Sequence, residues 1–572
     1  MKTTTIRRLV AVIASTGLLI AAAPSMAPAA NAAEACALGA TCEGSLTGKL
    51  GATTFKIQMP TKFNGTVLVY SHGYRVGTPV PAALAVPLGL NDPTSYVATK
   101  VPAFATAFGT DVAYVGAPFA DIAPSTTVRD NLLAQGYALT GVGYAKQGWA
   151  TAEGVEANEL LMGHIRGGAI SGVKKTMTWG TSLGGLIAAT VAERNPKIVA
   201  GVLADCAPLE GPEQAFSGAM TVLYTWKTMI APTLRVANYE SYTQALTDLS
   251  TVLTVLGGYP TKTGANSALG FPIAQANMLG ALMAGLPTKS TVYDGQTVNP
   301  AYATLGTLAA VSQGYSPASA GASTAAAMLQ NVGAAAALGI LGRYELEQRV
   351  RTIGGLAATD SANFSNNLNV QYSKLLSSEQ RGEFGDTLNA GAVNINGMMA
   401  ALDGSKGNSA LRFPANPVAV KIVRALPAPT GVYTSPTVLL TTAYDPIVAP
   451  ANTFDYYANL MASAKKAGSL AKVAQYYTMP VEDGYTKFAA GGKSPDAAAS
   501  AAANVSGVGH CAFSLDNWSA VTKSVATLNA LTNATTVAAV KKAKAIGYGG
   551  AAVNGDGFYV PEALKRPGIT KS

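Results

Sequence analysis

The chain is poor in the side chains that build metal centres and nucleic-acid surfaces. It has three histidines, four cysteines and 12% charged residues in 572 positions. These few ligands are not spaced for zinc, so no metal site is expected. The basic residues are scattered and do not cluster with aromatic residues, which argues against a nucleic-acid partner. After residue 32 no apolar run reaches membrane-spanning length without Gly, Pro or charge, so no stable membrane anchoring is expected.

The N-terminus has the pattern of a secretory signal peptide, which we assign to residues 1–32. Lys2, Arg7 and Arg8 precede the apolar run Leu9–Ala23, and the Ala-Asn-Ala of positions 30–32 fits a cleavage site. The residues around the arginine pair fit twin-arginine export poorly, so Sec export is favoured. Three of the +9 formal charges lie in this leader, which leaves +6 for the mature chain. The prediction is a secreted, extracellular protein. Its oligomeric state is not defined by the sequence.

The four cysteines are Cys36, Cys42, Cys206 and Cys511. An even number in an exported chain predicts two disulfides, with three possible pairings. Proximity favours Cys36–Cys42, which leaves Cys206–Cys511 to join two distant segments.

Strands and helices alternate over residues 33–208 and again over residues 431–545. Apolar runs at Thr66–Tyr70, Asp111–Gly116 and Tyr137–Tyr144 predict strands buried on both faces. This alternation predicts an α/β fold with a mostly parallel central sheet flanked by helices.

Between these two parts, residues 209–430 are rich in Ala, Leu and Gly and have helical periodicity, as in Glu213–Met229. We interpret them as a large helical cap inserted into the sheet domain. A separate helical domain is the alternative, but strand character resumes at Thr437–Thr442. Residues 546–572 are expected to form a C-terminal tail.

The most informative local pattern is Gly180-Thr-Ser-Leu-Gly184, which centres on Ser182. A strand-like run from Lys175 to Trp179 leads into it, and an apolar helix leads out and ends near Pro196. A strand, a sharp turn carrying one serine, and a helix are typical of a nucleophile elbow. Side chains at positions 180 and 184 would collide with the neighbouring strand or helix, which explains the glycines.

A serine hydroxyl needs a base, and the base needs a carboxylate that fixes its tautomer. His510 follows the last strand in a glycine-flanked loop, and Asp445 directly follows an apolar strand. The order Ser182, Asp445, His510 is the one in which these groups emerge from successive strand ends. Asp205, which also lies just beyond a strand, is the main rival for the acid.

Two backbone N–H groups are expected to form an oxyanion hole. The first is assigned to Tyr74, with Gly73 as the alternative, because His72-Gly73-Tyr74 follows the first buried strand. The second is assigned to Leu183, directly after the serine. His72 is expected to pack beneath the site, and His164 to lie at the surface.

These motifs together resemble the α/β-hydrolase superfamily, and more narrowly secreted actinobacterial serine esterases and lipase-like hydrolases. The resemblance covers roughly residues 60–208 and 435–535 and leaves the cap outside. It implies acylation of the serine and release of the acid by water, without a cofactor. Cys511 beside His510 is also similar to tannase- and feruloyl-esterase-like enzymes, where a disulfide joins the serine and histidine segments. Here Thr181, not a cysteine, precedes the serine, so Cys206 is the candidate partner.

The interpretation is therefore an extracellular serine hydrolase that acts on a small-molecule or polymeric carboxylic ester. A serine peptidase of the aminopeptidase type is the first alternative, since an acid in the cap would hold a substrate amine. Glu213, Glu345 and Glu347 are its candidates, although the last two have the pattern of solvated helix charges. A non-catalytic binding protein on the same scaffold is the second. Trp226, Tyr224, Met278 and Met283 are candidates for lining a pocket over the serine.

Overall fold

A computed structural model describes residues 35–257, 273–285, 291–293, 296–298, 333–378, 381, 391–409, 411–442, 445, 447–468, 472–478, 510–511, 519–548 and 558–559. The expected signal peptide lies outside these ranges. Within them, no helix is long and apolar enough to cross a membrane.

Fourteen strands are formed by the described residues. They are β1 Thr41–Thr47, β2 Ala52–Gln58, β3 Thr66–Ser71, β4 Val80–Pro81, β5 Tyr96–Lys100, β6 Val112–Gly116, β7 Ala138–Val142, β8 Lys175–Thr181, β9 Val199–Asp205, β10 Thr291–Tyr293, β11 Gln296–Val298, β12 Thr437–Thr442, β13 Val473–Thr478 and β14 Phe558–Tyr559.

The α-helices are numbered in the same way over the described residues. They are α1 Ala82–Ala85, α2 Phe104–Phe108, α3 Thr126–Ala134, α4 Thr151–His164, α5 Leu183–Arg194, α6 Gly211–Met229, α7 Tyr242–Gly257, α8 Ile273–Met283, α9 Ala334–Ala337, α10 Arg343–Gly354, α11 Gly391–Asp403, α12 Pro417–Arg424, α13 Phe454–Lys466, α14 Ser519–Asn533 and α15 Val537–Tyr548. A π-helical turn, Leu338–Gly342, joins α9 to α10.

The main sheet has nine strands in the order β1-β2-β7-β3-β8-β9-β12-β13-β14. The strands from β7 to β13 are parallel to one another, and antiparallel strands close both edges. Helices cover both faces, and every residue of β3, β7 and β12 is buried. The predicted α/β class with a mostly parallel sheet is confirmed.

One predicted strand lies elsewhere. The Asp111–Gly116 run forms β6, but it pairs antiparallel with β4 and β5 in a separate three-stranded sheet. Its burial is only partial, since three of its five residues are partly exposed. An apolar run predicts a buried, extended backbone, but it does not predict the strand with which that backbone pairs.

The segment between β9 and β12 leaves the main sheet and returns to it at the neighbouring position, since these two strands pair directly. Its described elements are helices and the β10–β11 hairpin. Several of its helices share a hydrophobic core with residues 76–88. Other residues of α6, α10 and α12 belong to the core on one face of the main sheet, and a third core lies on the opposite face.

The segment expected to be a tail is structured in part. Residues 546–548 end α15, and Phe558–Tyr559 forms β14, which pairs with β13 at the edge of the main sheet.

Candidate active site

Ser182 sits in a strained turn between β8 and α5. Its φ of 58° and ψ of −127° place a residue with a side chain in backbone space that favours glycine. The turn is fixed from both sides. The Ser182 N–H donates to the Asp205 carbonyl over 2.8 Å, and the Ser182 carbonyl accepts from the Gly185 N–H over 2.9 Å. The strain points the hydroxyl out of the sheet.

The glycines around the serine allow two backbones to touch. A Cβ on Gly180 would overlap the Gly184 carbonyl, and a Cβ on Gly184 would overlap the carbonyl of Ser71 in β3. Neither neighbour is a flexible side chain, so neither has room to move away. The close crossing of α5 over β3 and β8 therefore requires glycine at both positions.

Three side chains from separate parts of the chain meet at the carboxyl edge of the sheet. His510 Nε2 lies 2.8 Å from Ser182 Oγ, and His510 Nδ1 lies 2.7 Å from Asp445 Oδ2. The other oxygen of Asp445, Oδ1, accepts from the Ile447 and Val448 N–H groups, each over 2.9 Å. Asp445 is fully buried, whereas one fifth of the His510 side chain is exposed. The predicted trio is thus in hydrogen-bond contact; its catalytic role stays a prediction.

Asp205, the rival acid, is placed differently. It is fully buried at the end of β9, and neither carboxylate oxygen has a hydrogen-bond partner among the described residues. Burial raises the pKa of its carboxyl well above the usual range, which favours the neutral acid. A protonated group without contact to the imidazole cannot orient it, so the geometry favours Asp445.

A disulfide anchors the histidine segment to the sheet. Cys511 is bonded to Cys206, the residue after β9, and Cys36 is bonded to Cys42. Among the described residues, the one cluster of metal-type ligands is Cys206, His510 and Cys511. Its two sulfurs are bonded to each other, so they are not thiolate ligands for a metal.

The residues assigned to the oxyanion hole lie beside the serine. Leu183 is the first residue of α5, so its N–H is one of the helix N-terminal donors without an intrahelical partner. On the other side, a Cβ added to Gly73 would lie 3.3 Å from Ser182 Cβ and 3.8 Å from Ser182 Oγ. Tyr74 follows directly and lines the same pocket as Ser182. The contacts place both peptides near the serine, and their donor role stays a prediction.

The other two histidines do not reach the serine. His72 is buried, stacks on the Tyr144 ring at 3.9 Å and donates from Nδ1 to the Gly73 carbonyl over 2.7 Å. Burial lowers its pKa well below the usual value, so it stays neutral. His164 ends α4 against Phe55 and is half-buried rather than fully at the surface.

An apolar cavity of about 90 Å³ opens onto Ser182. Helix α6 forms one wall with Phe216, Ala219, Leu223 and Trp226, and Trp149 forms part of another. None of the described lining residues carries a formal charge. The buried Arg343 guanidinium donates a hydrogen bond to the Phe216 carbonyl over 2.9 Å, which fixes this part of α6.

The pocket residues match the sequence prediction only in part. Trp226 lines the cavity, but Tyr224 points away and stacks on Tyr372, and Met283 is buried in the helical core. The side chain of Met278 lies outside the described part of the chain. Phe216 was missed, although its spacing from Ala219 and Leu223 is that of one helix face. Nothing in the sequence around Trp149 marks it.

A larger cleft of about 1090 Å³, with charged residues in its walls, is lined in part by Gly73 and Tyr74. Its walls include Glu43 and Lys56 of the edge strands and the pair formed by Arg75 and Asp121. Tyr74 lines both the apolar cavity and this cleft.

The glutamates expected to be solvated are not. Glu347 is fully buried beside Arg343 and accepts from the Asn238 and Tyr239 N–H groups over 2.8 and 2.7 Å. Glu345 accepts a hydrogen bond from the Tyr74 hydroxyl over 2.7 Å. The helical pattern of α10 did not reveal this, because the partners are more than 100 positions away in the chain.

The described residues thus form an α/β fold, with a mostly parallel sheet, helices on both faces and a serine in the turn after a central strand. No protein-family model and no curated protein matches the chain. Solved structures similar in part include an α/β serine hydrolase without lid from Xanthomonas campestris, at 10% identity over 30% of this chain and 64% of that one, with a TM-score of 0.20.

Two further structures are similar over a comparable share of the chain. A thermostable esterase from Pseudomonas putida has 14% identity over 29% of this chain and 43% of its own, with a TM-score of 0.18. An esterase from Pyrobaculum calidifontis has 13% identity over 31% and 50%, with a TM-score of 0.19. The chain thus covers less than two thirds of each of these proteins.

Proposed function

We propose that the protein is a serine hydrolase that cleaves carboxylic esters through Ser182, His510 and Asp445. The observation that carries the proposal is the position of the His510 ring, whose two nitrogens lie 2.8 Å from the serine hydroxyl and 2.7 Å from the aspartate. A neutral imidazole in this position donates from Nδ1 to the carboxylate and accepts the serine proton at Nε2.

The reaction proceeds by two acyl transfers. Ser182 Oγ attacks the ester carbonyl as its proton passes to His510 Nε2, and the imidazolium is stabilised by Asp445. The tetrahedral oxyanion lies at the start of α5, where the Leu183 N–H and the dipole of the helix N-terminus favour negative charge. His510 then returns the proton to the leaving alcohol. Water, activated by the same imidazole, hydrolyses the acyl-enzyme.

The two spaces around Tyr74 suit the two halves of an ester. The cavity over Ser182 is apolar and has room for about six to nine water-sized groups, taking 10–15 Å³ for each. It therefore suits a short, uncharged acyl group. The larger cleft, with its ion-paired walls, suits a polar alcohol portion.

The three glutamates considered for holding a substrate amine in the peptidase alternative are each engaged by other groups of the chain. Glu213 is paired with Arg424 over 2.6 Å, and Glu347 is engaged by two backbone N–H groups. The oxygens of Glu345 are occupied by Tyr74, Gly77 and Thr78. None of these three glutamates is among the residues that line the cavity at Ser182.

A non-catalytic binding protein is also less well supported. The strained backbone of Ser182 costs about 1–3 kcal/mol, and Asp445 is a buried carboxylate whose second oxygen serves the imidazole. A scaffold that only binds gains nothing from either feature.

Export is part of the same proposal. Two disulfides and the N-terminal leader pattern suit an oxidising, extracellular setting, and reduced thiols would be the rule in a cytosolic chain.

The test combines active-site labelling with substrate comparison. The mature chain is treated with a fluorophosphonate probe, the adduct is located by mass mapping, and p-nitrophenyl esters are compared with aminoacyl anilides. We expect labelling at Ser182 and a preference for short-chain esters. Ser182→Ala is expected to abolish turnover and labelling with little change in the thermal midpoint, since alanine keeps the same backbone strain. An unlabelled serine would support a binding protein, and anilide turnover without ester preference would support the peptidase.

A further inference from the structure

Glu345, near the start of α10, reaches across to the loop that follows β3. Its Oε2 accepts from the Tyr74 hydroxyl over 2.7 Å. Its Oε1 accepts from the Gly77 N–H over 2.6 Å and from the Thr78 N–H and hydroxyl over 2.9 and 3.0 Å. Four donors within five residues of chain thus converge on one carboxylate.

The loop held by Glu345 is the one that carries the expected oxyanion donor. Its first residues pass the serine closely, as the short approach of Gly73 to Ser182 shows. On the opposite side Arg75 donates to the Ala117 and Phe119 carbonyls over 2.6 and 3.0 Å. The Tyr74 peptide is therefore fixed between two anchors, and Glu345 is the anchor that belongs to the inserted helices.

The same carboxylate also connects the loop to the pocket wall. Helix α10 begins directly after the π-helical turn Leu338–Gly342, and Leu338 and Gly339 of that turn line the apolar cavity. One group thus fixes the acyl cavity relative to the loop beside the nucleophile.

We propose that Glu345 is a positioning residue for ester hydrolysis, which holds the Tyr74 N–H where the oxyanion forms. This rests on the proposed function and on the assignment of Tyr74 as a donor. A displacement of about 1 Å in such a group lowers the rate by about 100-fold. The interaction serves the transition state more than substrate binding, so its loss is expected in kcat more than in KM.

Ionisation supplies a second readout. Burial raises the pKa of Glu345 to about 7, against hydrogen bonds from Tyr74, Gly77 and Thr78 that lower it. The other titratable groups described around it are the phenols of Tyr74, Tyr96, Tyr242 and Tyr344, and burial raises the pKa of each. None of the phenols ionises below pH 9, so Glu345 is the group in this set that changes charge between pH 5 and 9. The carboxylate is a stronger acceptor than the acid, so the loop is held most firmly above pH 7.

The test uses Glu345→Ala and Glu345→Gln, with Glu347→Gln as the matched control. Glu347 is a buried glutamate on the same helix that binds backbone N–H groups away from the serine. For each variant, kcat and KM on a p-nitrophenyl ester are measured. So is the inhibition constant of an alkylboronic acid, which forms a tetrahedral adduct with the serine.

For Glu345→Ala we expect kcat to fall about 100-fold, KM to change less than about threefold, and boronate binding to weaken in step with kcat. Glu347→Gln is expected to lower the thermal midpoint and leave kcat within about twofold. A Glu345→Ala variant that loses thermal stability but keeps kcat, or loses kcat without losing boronate affinity, would show a merely structural role and overturn the proposal.

Glu345→Gln keeps the loop acceptor and removes the charge, so it remains informative if the alanine variant does not fold. The kcat ratio of wild type to this variant is expected to rise from about 1 at pH 5.5 to about 5 at pH 8.5, since charge-assisted hydrogen bonds are roughly twice as strong as neutral ones. A flat ratio overturns the proposal. If wild type is active and labelled at Ser182 and Glu345→Ala is fully active, the positioning role alone is overturned. If wild type is not labelled, the proposed function is overturned as well.

Discussion

Removing the Cys206–Cys511 disulfide should weaken both the fold and the active site. The bond closes a loop of 305 positions. Loop-closure entropy for that length sets a ceiling of about 6 kcal/mol on its contribution to the free energy of unfolding. Both cysteines have positive φ, 43° and 55°, and such backbone strain offsets part of the gain. We therefore expect the Cys206→Ala/Cys511→Ala variant to lose about 2–5 kcal/mol.

The second disulfide is a matched control. Cys36 and Cys42 are separated by only 6 positions, for which the same relation gives about 2 kcal/mol. Cys42 lies in β1, four strands from β8, or about 19 Å at the usual strand spacing. The Cys36→Ala/Cys42→Ala variant should therefore lose less stability and keep its kcat.

The assay is a urea titration under non-reducing conditions together with ester turnover. Because Cys511 is the neighbour of His510, loss of its bond should lower kcat at least tenfold, while the control stays within twofold. The reasoning is wrong if both double variants show the same stability, or if the Cys206→Ala/Cys511→Ala protein retains full kcat.

Three further predictions follow from the geometry. Asp445→Asn should lower kcat by about 10⁴. The backbone N–H groups that bind Oδ1 would hold the amide oxygen of the asparagine, so its NH₂ group would face His510. The imidazole would then carry its proton on Nε2 and could not accept the serine proton; a folded variant with near-normal kcat contradicts this. Burial raises the pKa of Asp205, so between the ordinary Asp pKa and the raised one the carboxyl is protonated in the folded chain and ionised in the unfolded chain. Over that window wild type should lose up to about 1.4 kcal/mol of unfolding free energy per pH unit relative to Asp205→Asn. Urea titrations of both proteins between pH 5 and 9 check this, and a pH-independent difference contradicts it. Ala219→Phe should fill the apolar cavity and lower the butyrate-to-acetate ratio of kcat/KM at least tenfold, and an unchanged ratio would place the acyl chain elsewhere.

Much of the architecture was readable from local pattern. Apolar strands that alternate with helices indicate a parallel sheet, because the strands of such a sheet are buried on both faces and form nearly continuous apolar runs. The turn that carries Ser182 was also predictable from local sequence, because glycine is required where two backbones touch, as at Gly180 and Gly184. The pairing of β6 was not readable, because a strand does not encode its neighbour in its own residues.

The pocket and the buried charges were the parts least accessible to sequence reasoning. The prediction that Glu345 and Glu347 are solvated was wrong. Helical periodicity predicts which side chains share one face of a helix, but it does not predict which distant segment packs against that face. The spacing of Phe216, Ala219 and Leu223 did hold a usable signal, whereas Trp149 lies in an irregular stretch with no period.

By itself, the sequence determined the class of sheet and the order in which Ser182, an acid and His510 follow predicted strands. Strands, helices and turns depend mainly on residues that are near neighbours in the chain, so their order can be predicted from local pattern. The sequence favoured Asp445 as the acid and left Asp205 as its rival, and the tertiary structure separates the two: Asp205 is the last residue of β9, whereas Asp445 lies beyond the end of β12. The choice is physical: one carboxyl is buried without a partner among the described residues, and the other lies 2.7 Å from an imidazole supplied 65 residues later. The contact of Glu345 with Tyr74 spans 271 residues and was likewise decided by packing alone.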